Sequence, residues 1–356
     1  MRILLTADPL LPVPPGGYGG IERIVDALVR ALRARGHRVG LVARAGSTCP
    51  SDALYPWPGG DPGTLLGSTR NALALARAVR AFRPDLVHNF SRLAHLLLLL
   101  PARLPKIMSY QRHVSLRSIR LALAPARRGS LRFTACSDFL RLRAAAGGGE
   151  WTTIHNFVDL DRIDHVPAVA PDAPLLFLSR LDRIKAPDLA IAIARRAGRR
   201  LVLAGNIAPD GPDAAFFREA ISPSLGRDGI EYVGEVDDRR KNTLLGAAAA
   251  LLVPIRWDEP FGIVFAEALA AGTPLLTCAR GALPEIVRPD RTGYFIPEGD
   301  IEAGATAVRR LGLLDRAACR ADAAARFSPA VATDRYLALY ADALAGRPHS
   351  HPCDAS

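Results

Sequence analysis

Two glutamates eight positions apart, Glu259 and Glu267, lie in the stretch "PIRWDEPFGIVFAEALAAGTP" (254–274), where nearly every residue after Gly262 is apolar. The residue before a proline is biased away from helix, so Glu259 is expected in a loop ahead of Pro260, itself suited to a first helical turn. The helix should then run to about Ala271 and stop at Gly272. Ile263, Val264, Phe265, Ala266, Ala268, Leu269 and Ala270 leave it no polar face, so it should be buried with Glu267 as its one interior charge. A buried carboxylate needs a partner: an arginine, backbone amides, or the hydroxyls of a ligand. Helical side chains tilt toward the N-terminus, which aims Glu267 back at the mouth where Glu259 sits, and the free N–H groups of a helix N-terminus favour phosphate. A ligand with hydroxyls at both ends and phosphate between them, such as a nucleoside diphosphate sugar, meets all three conditions. The plainer alternative pairs Glu267 with an arginine and leaves Glu259 as a solvated loop acid.

The elements around these residues follow a repeating pattern. "RILLTA" reads as a strand, and "GIERIVDALVRALRARGHRVGLVAR" places Ile21, Ile24, Val25, Leu28 and Leu32 at helical spacing, closes at Gly36 and continues into "RVGLVA". That is a βαβ unit. Strand-like runs recur at 84–90, 105–110, 131–137 and 151–156, with helical segments such as "TRNALALARAVRAF" between them. Prolines and alanines interrupt the pattern over 161–174, the expected linker, after which "LLFLSR", "RLVLAGN", "IEYVGEV", "AALLVPI" and "PLLTCA" restart it. The expected fold is α/β, with two doubly wound Rossmann-like domains, at 1–165 and 170–329, and a ligand cleft between the carboxyl ends of their sheets. A last helix at about 330–346 is placed to pack back on the first domain, and 347–356 reads as a disordered tail.

Composition sets further bounds. With 49% hydrophobic and 23% charged residues the 356-residue chain is globular in type. No apolar run reaches the length of a membrane span; "LAHLLLLLP" is broken by Pro101. Five scattered cysteines with no C-x-x-C pair argue against a disulfide framework or structural zinc, and suit a reducing cytoplasm. The net charge of +11 is uneven: residues 1–165 hold 23 Lys and Arg against 11 Asp and Glu, while the remainder is near neutral. Arginines and leucines alternate at helix-like spacing over 111–143, which fits either peripheral contact with an anionic membrane face or a plain solvated surface. Neither a recognition motif nor an aromatic stacking platform points to nucleic acid.

The Glu259 to Glu267 stretch resembles the E-x7-E signature of retaining glycosyltransferases with the GT-B fold, and with "RGALPEIV" it is similar to family 4 of these enzymes. "PGGYGGIERIVDALVRALRARGHRV", "ACSDFLR", "IHNFVDLDRI" and "FLSRLDRIKAPDLAI" resemble other segments of that family, so the likeness covers most of the chain. The resemblance implies a hexosyltransferase-type enzyme. Glu267 would bind the donor ribose and Glu259 the transferred sugar, with backbone amides of Phe261, Gly262 and Ile263 on sugar and diphosphate. Arg180 and Lys185 would hold the diphosphate leaving group where its charge grows, so no metal or other cofactor is expected. Gly17, Gly19 and Gly20, with Gly16, would let backbone approach the donor or acceptor, or form an ordinary turn. Asn206 would line the nucleotide side, or be a turn asparagine. Where many family members carry a first-domain "T-x-H" histidine, this chain reads "KIMSYQRHVS", leaving the slot to Gln111 or to a displaced His113. His88 matches another family position, and equally suits a structural hydrogen-bonder. With no carboxylate placed as nucleophile, retention is expected by front-face attack. The resemblance implies a nucleotide-sugar donor, with UDP the commonest carrier, on 170–329, and an unidentified acceptor on the basic first domain, 1–165, which could suit a lipid-linked, phosphorylated, saccharide or small-molecule acceptor. Two alternatives stand beside this: a non-catalytic sugar-nucleotide-binding protein and a nucleotide-sugar 2-epimerase of the same architecture.

Overall fold

The middle of "RILLT" (2–6), Ile3 to Leu5, is apolar without alternation, as a strand covered on both faces must be. Ile3, Leu4 and Leu5 are fully buried at the centre of an all-parallel sheet. The computed structural model describes residues 1–17, 19–61, 63–112 and 114–346. They form two units, Met1–Asn156 with the segment from Pro329 onward, and Phe157–Ser328. Residues 157–165 therefore go with the second unit.

The first unit alternates strand and helix: β1 Arg2–Thr6, α1 Gly20–Ala34, β2 Arg38–Ala43, β3 Ala53–Pro56, α2 Leu65–Phe82 and β4 Leu86–Asn89. A 3-10 helix at Leu93–Leu99 leads to β5 Lys106–Tyr110, α3 Leu116–Leu123, β6 Leu131–Ala135, α4 Asp138–Ala145 and β7 Glu150–Thr153. Its seven strands run in the order β3-β2-β1-β4-β5-β6-β7, so the winding reverses between β1 and β4. Leu4, Val42, Val87, Met108 and Phe133 from neighbouring strands share one core with Leu75 and Phe82 of α2.

The second unit repeats the plan with β8 Leu175–Leu178, α5 Pro187–Arg196, β9 Leu201–Ala204, α6 Gly211–Phe216, β10 Ile230–Tyr232, α7 Asp238–Ala247 and β11 Ala250–Val253. It continues through α8 Ile263–Ala271, β12 Leu275–Thr277, α9 Leu283–Ile286, β13 Gly293–Phe295, α10 Ile301–Arg309 and α11 Arg316–Phe327. Six strands run β10-β9-β8-β11-β12-β13, with the reversal between β8 and β11. The last helix, α12 Pro329–Ala345, belongs to the first unit.

Two strands escape the sequence pattern. β3, "ALYP", is an edge strand that ends in proline, and β13, "GYF", is three residues long. The helix after Glu259 starts later than expected: Pro260 lies outside it, and Gly262, at φ 80°, is the residue that turns the chain into α8. A Cβ there would meet Phe265 Cδ2 at 2.6 Å, so glycine is required by both backbone and space.

Candidate active site

In wound parallel sheets, ligands bind beyond the carboxyl ends of the strands where the winding reverses. In the second unit those strands are β8 and β11. The segments that follow them, 180–185 and 257–259, hold Arg180, Lys185 and Glu259, three of the candidates singled out in the sequence.

Glu259 is not a solvated loop acid. It is 9% exposed, and its Oε2 accepts from Lys185 Nζ and, at 3.0 Å, from Trp257 Nε1. The Lys185 ammonium also lies 5.4 Å from the centre of the Trp257 ring, a favourable cation–π placement. The backbone of Glu259 is fixed from the other side: Ala282 N donates to Glu259 O at 2.8 Å, and Gly281, at φ 59°, leaves room for it. A Cβ on Gly281 would sit 2.3 Å from Glu259 O and 2.4 Å from Glu259 N. "RGALPEIV" thus supports Glu259 from behind.

Glu267 sits one turn into α8 and is also 9% exposed. Its partner is a lysine, not the arginine of the plainer reading: Lys241 Nζ donates to Glu267 Oε1 at 2.5 Å. Lys241 reaches it from α7, and its ammonium is shared with Asp238 at 3.0 Å. Each glutamate of the pair is therefore neutralised by its own lysine.

Arg180 is half-exposed and pairs with Asp182 Oδ2 at 3.0 Å. Asp182 Oδ1 accepts from the backbone N–H of Lys185 at 3.1 Å, so this one buried acid joins the two expected phosphate-binding cations. Burial raises the Asp182 carboxyl from its usual value, with Arg180 opposing the rise. The turn is tightened by Ala186 at φ 59°, which starts α5. Phe261 is buried against Phe327, with ring centres 5.6 Å apart, and Gly262 and Ile263 form the entry to α8, whose first N–H groups have no intrahelical partner. The Asn206 side chain is exposed, while its carbonyl accepts from Leu181 N at 3.0 Å.

The remaining candidates lie in the first unit. Gly17 is exposed, and a Cβ there, or on Gly16, would meet nothing within 4 Å. Gly19 is different: it is buried at φ 152°, and a Cβ would press on Pro15 at 2.8 Å. Gly20 opens α1. His113 lies outside the described residues, as does the tail 347–356. Gln111 lies at the end of β5, and its Oε1 is buried with no hydrogen-bond partner among the described residues. His88 is a structural hydrogen-bonder, held between Tyr340 Oη at 2.5 Å and Ser109 Oγ at 2.6 Å, and complete burial pushes it down to about 3.

Sequence reasoning missed Lys241, Trp257, Asp182 and, in the first unit, Asp8 and Glu22. Lys241 had one signal, rarity: the chain has three lysines among 46 basic residues. Lys106 shares that rarity for another reason, since its buried Nζ donates to the carbonyls of Leu99, Leu100 and Ala102 at the end of the 3-10 helix. Glu22, 5% exposed in the first turn of α1, is raised above the usual carboxylate range mainly by burial, with Asp8 adding to the rise and Arg112 opposing it.

Two wound parallel-sheet units, the second with charged side chains beyond the strands at its reversal point, define a Rossmann-like protein. The family described as "Glycosyl transferases group 1" matches residues 165–326, and "Glycosyltransferase Family 4" matches residues 18–162. The chain belongs to glycosyltransferase family 4 and has the GT-B fold. The D-inositol 3-phosphate glycosyltransferase of Mycobacteroides abscessus is 32% identical over 183 residues, 49% of this chain and 41% of that protein. This chain thus spans less than half the length of that curated relative. Among solved structures, AviGT4, a glycosyltransferase involved in avilamycin A biosynthesis, is 29% identical with TM-score 0.71, covering 97% of this chain and 98% of that one. HepE of Anabaena, in complex with UDP and glucose, is 19% identical with TM-score 0.72, covering 96% and 99%. Among the described residues no helix is long and apolar enough to cross a membrane.

Proposed function

We propose that the protein is a retaining, metal-independent glycosyltransferase that moves a sugar from a nucleoside diphosphate donor, UDP first among the candidates, to an acceptor hydroxyl. One observation carries the reading: both glutamates of the E-x7-E pair flank the start of α8, nearly buried, each held by a lysine. Isolated acids in an apolar helix would be expensive, whereas acids held in place for hydroxyls of a ligand are useful. Family membership and the UDP and glucose bound by HepE support the choice of donor.

In this reading Glu267 takes the ribose hydroxyls and Glu259 the hydroxyls of the transferred sugar. Lys185 and Arg180 move onto the diphosphate. The bond from the anomeric carbon to the phosphate oxygen breaks as the acceptor oxygen bonds to the same face of that carbon. The acceptor's proton passes to the departing phosphate oxygen, so a separate base is not required. Negative charge that grows on this phosphate meets these two cations and a helix N-terminus, where it is stabilised most.

A panel of UDP-, GDP-, ADP- and dTDP-sugars, scored by thermal shift and then by released nucleotide, tests the proposal. One donor should raise the melting temperature and be turned over slowly in chelator-treated protein; no binding to any of them overturns it. Glu259→Ala should abolish transfer while the protein still folds. Turnover that survives this change would assign the sugar contact elsewhere.

A further inference from the structure

The first unit has a cavity of about 530 Å3 at the ends of β1, β4 and β5, where its own winding reverses. Three loops converge on it: Asp8 follows β1, Phe90 to Leu93 follow β4, and Gln111 and Arg112 follow β5. The size suits a small organic ligand. Much of the wall is apolar, from Phe90, Leu97, Leu100, Met108, Leu121 and Ala122. Leu97 is 57% exposed and Leu121 63% exposed, so the apolar surface continues from the cavity to its rim.

The charged part of the wall holds two arginines and one carboxylate, Asp8. Arg92 and Arg112 make no close ion pair among the described residues, and Arg112 lies near enough to Glu22 to oppose the rise of its carboxyl. Residues 86–137, which supply most of the wall, contain nine Lys and Arg and no Asp or Glu. Gln111 adds the buried Oε1 that lacks a donor, a group whose desolvation is repaid only when a hydroxyl or N–H reaches it. An apolar ligand alone would leave the arginines and Gln111 unused; a compact polyol phosphate would leave the leucines wet.

We propose that this cavity takes an amphiphilic acceptor: an apolar chain along Leu97 and Leu121, an anionic phosphate for Arg92 and Arg112, and a hydroxyl that donates to Gln111. This rests on the glycosyl-transfer reading, in which the molecule held here is the acceptor of the sugar.

Binding to the purified full chain separates the parts. The probes are decanoyl lysophosphatidic acid, which has all three groups, glycerol 3-phosphate, which lacks the chain, and monodecanoylglycerol, which lacks the phosphate. Lysophosphatidic acid should bind on the order of tenfold tighter than either fragment, since glycerol 3-phosphate gives up a buried leucine-sized apolar contact and monodecanoylglycerol a hydrogen bond to a charged group. Leu121→Asp, through the apolar contact, and Arg112→Glu, through the charged one, should each weaken it by about tenfold. Both sites are exposed, and circular dichroism checks the fold. Leu98→Asp, exposed at 49% and outside the cavity, should leave probe binding unchanged. Equal loss in Leu98→Asp, or binding only to phosphatidylglycerol vesicles and not to the soluble lipid, would mean a membrane-facing surface and would overturn the cavity. Glycerol 3-phosphate binding as tightly as the lipid would overturn the apolar requirement. The donor panel is measured on the same protein, so a failure of donor binding is told apart from a failure of this acceptor class.

Discussion

A carboxylate inside an apolar helix has to be satisfied in every state of the protein, with ligand or without it. Lys241 does this for Glu267, and Lys185 with Trp257 does it for Glu259 until the hydroxyls of a ligand replace the ammonium. Lys241 is thereby a positioning residue, acting through the acid it holds. In Lys241→Met, Glu267 loses a hydrogen bond to a charged group, worth about 1.5–3 kcal/mol, or roughly tenfold or more in affinity. We expect nucleotide binding to weaken by about that factor. The preference for a ribonucleotide over its 2′-deoxy form should fall too, as isothermal titration of UDP and 2′-deoxy-UDP would measure. A purely structural lysine would lower the melting temperature and leave that preference unchanged, and Lys241→Arg should restore part of it. The two glutamates were legible because apolar neighbours make an acid conspicuous. Their lysines were not, since the pairs span 26 and 74 positions, and only the fold brings such residues together.

At the scale of elements, α8 and the loops around it hold the site in shape. α11 braces the outer side: Arg316 donates to the carbonyls of Val166, Ala248 and Gly246, and Arg320 to those of Ile163, Ala270 and Leu160. The loop after β12 braces Glu259, with Gly281 in direct backbone contact. Gly281→Ala must therefore displace Glu259 as well as adopt a left-handed φ, which costs an L-residue about 1–2 kcal/mol. Its expected result is a folded protein that no longer binds the donor, read by thermal shift with and without nucleotide sugar; unaltered donor binding would show that Glu259 keeps its place without this support. Most strands were readable because buried parallel strands are continuous apolar runs. β3 and β13 were not, being an edge strand ending in proline and a strand of three residues, too short to set a pattern. The start of α8 was misplaced because Pro260 suits a first helical turn, while the turn is made by Gly262 in a conformation no side chain favours.

For the molecule as a whole, the two units differ in charge and in response to acid. The first carries all of the excess positive charge, the second being slightly negative, and it also contains two buried histidines: burial pushes His88 down to about 3 and His95 to about 4, from a usual 6.5. Both folded values lie below the unfolded one, so protonation favours the unfolded chain. Their contribution is complete above pH 6.5 and is lost as the pH falls toward 3 to 4. His88→Gln should flatten that part of the stability-against-pH curve in urea titrations; an unchanged slope would show that His88 does not carry it. The three lysines have a use at this scale as well. Lys106 is buried under three carbonyls, and Lys185 and Lys241 are each held by a glutamate with their side chains only 13% and 16% exposed. No described lysine stands on an open surface, so acylation of side-chain amines, read by mass spectrometry, becomes a footprint of the site with almost no background. Nucleotide sugar should change the labelling of Lys185 and Lys241 and leave Lys106 silent, giving a residue-resolved binding assay that needs no acceptor and no label on the ligand.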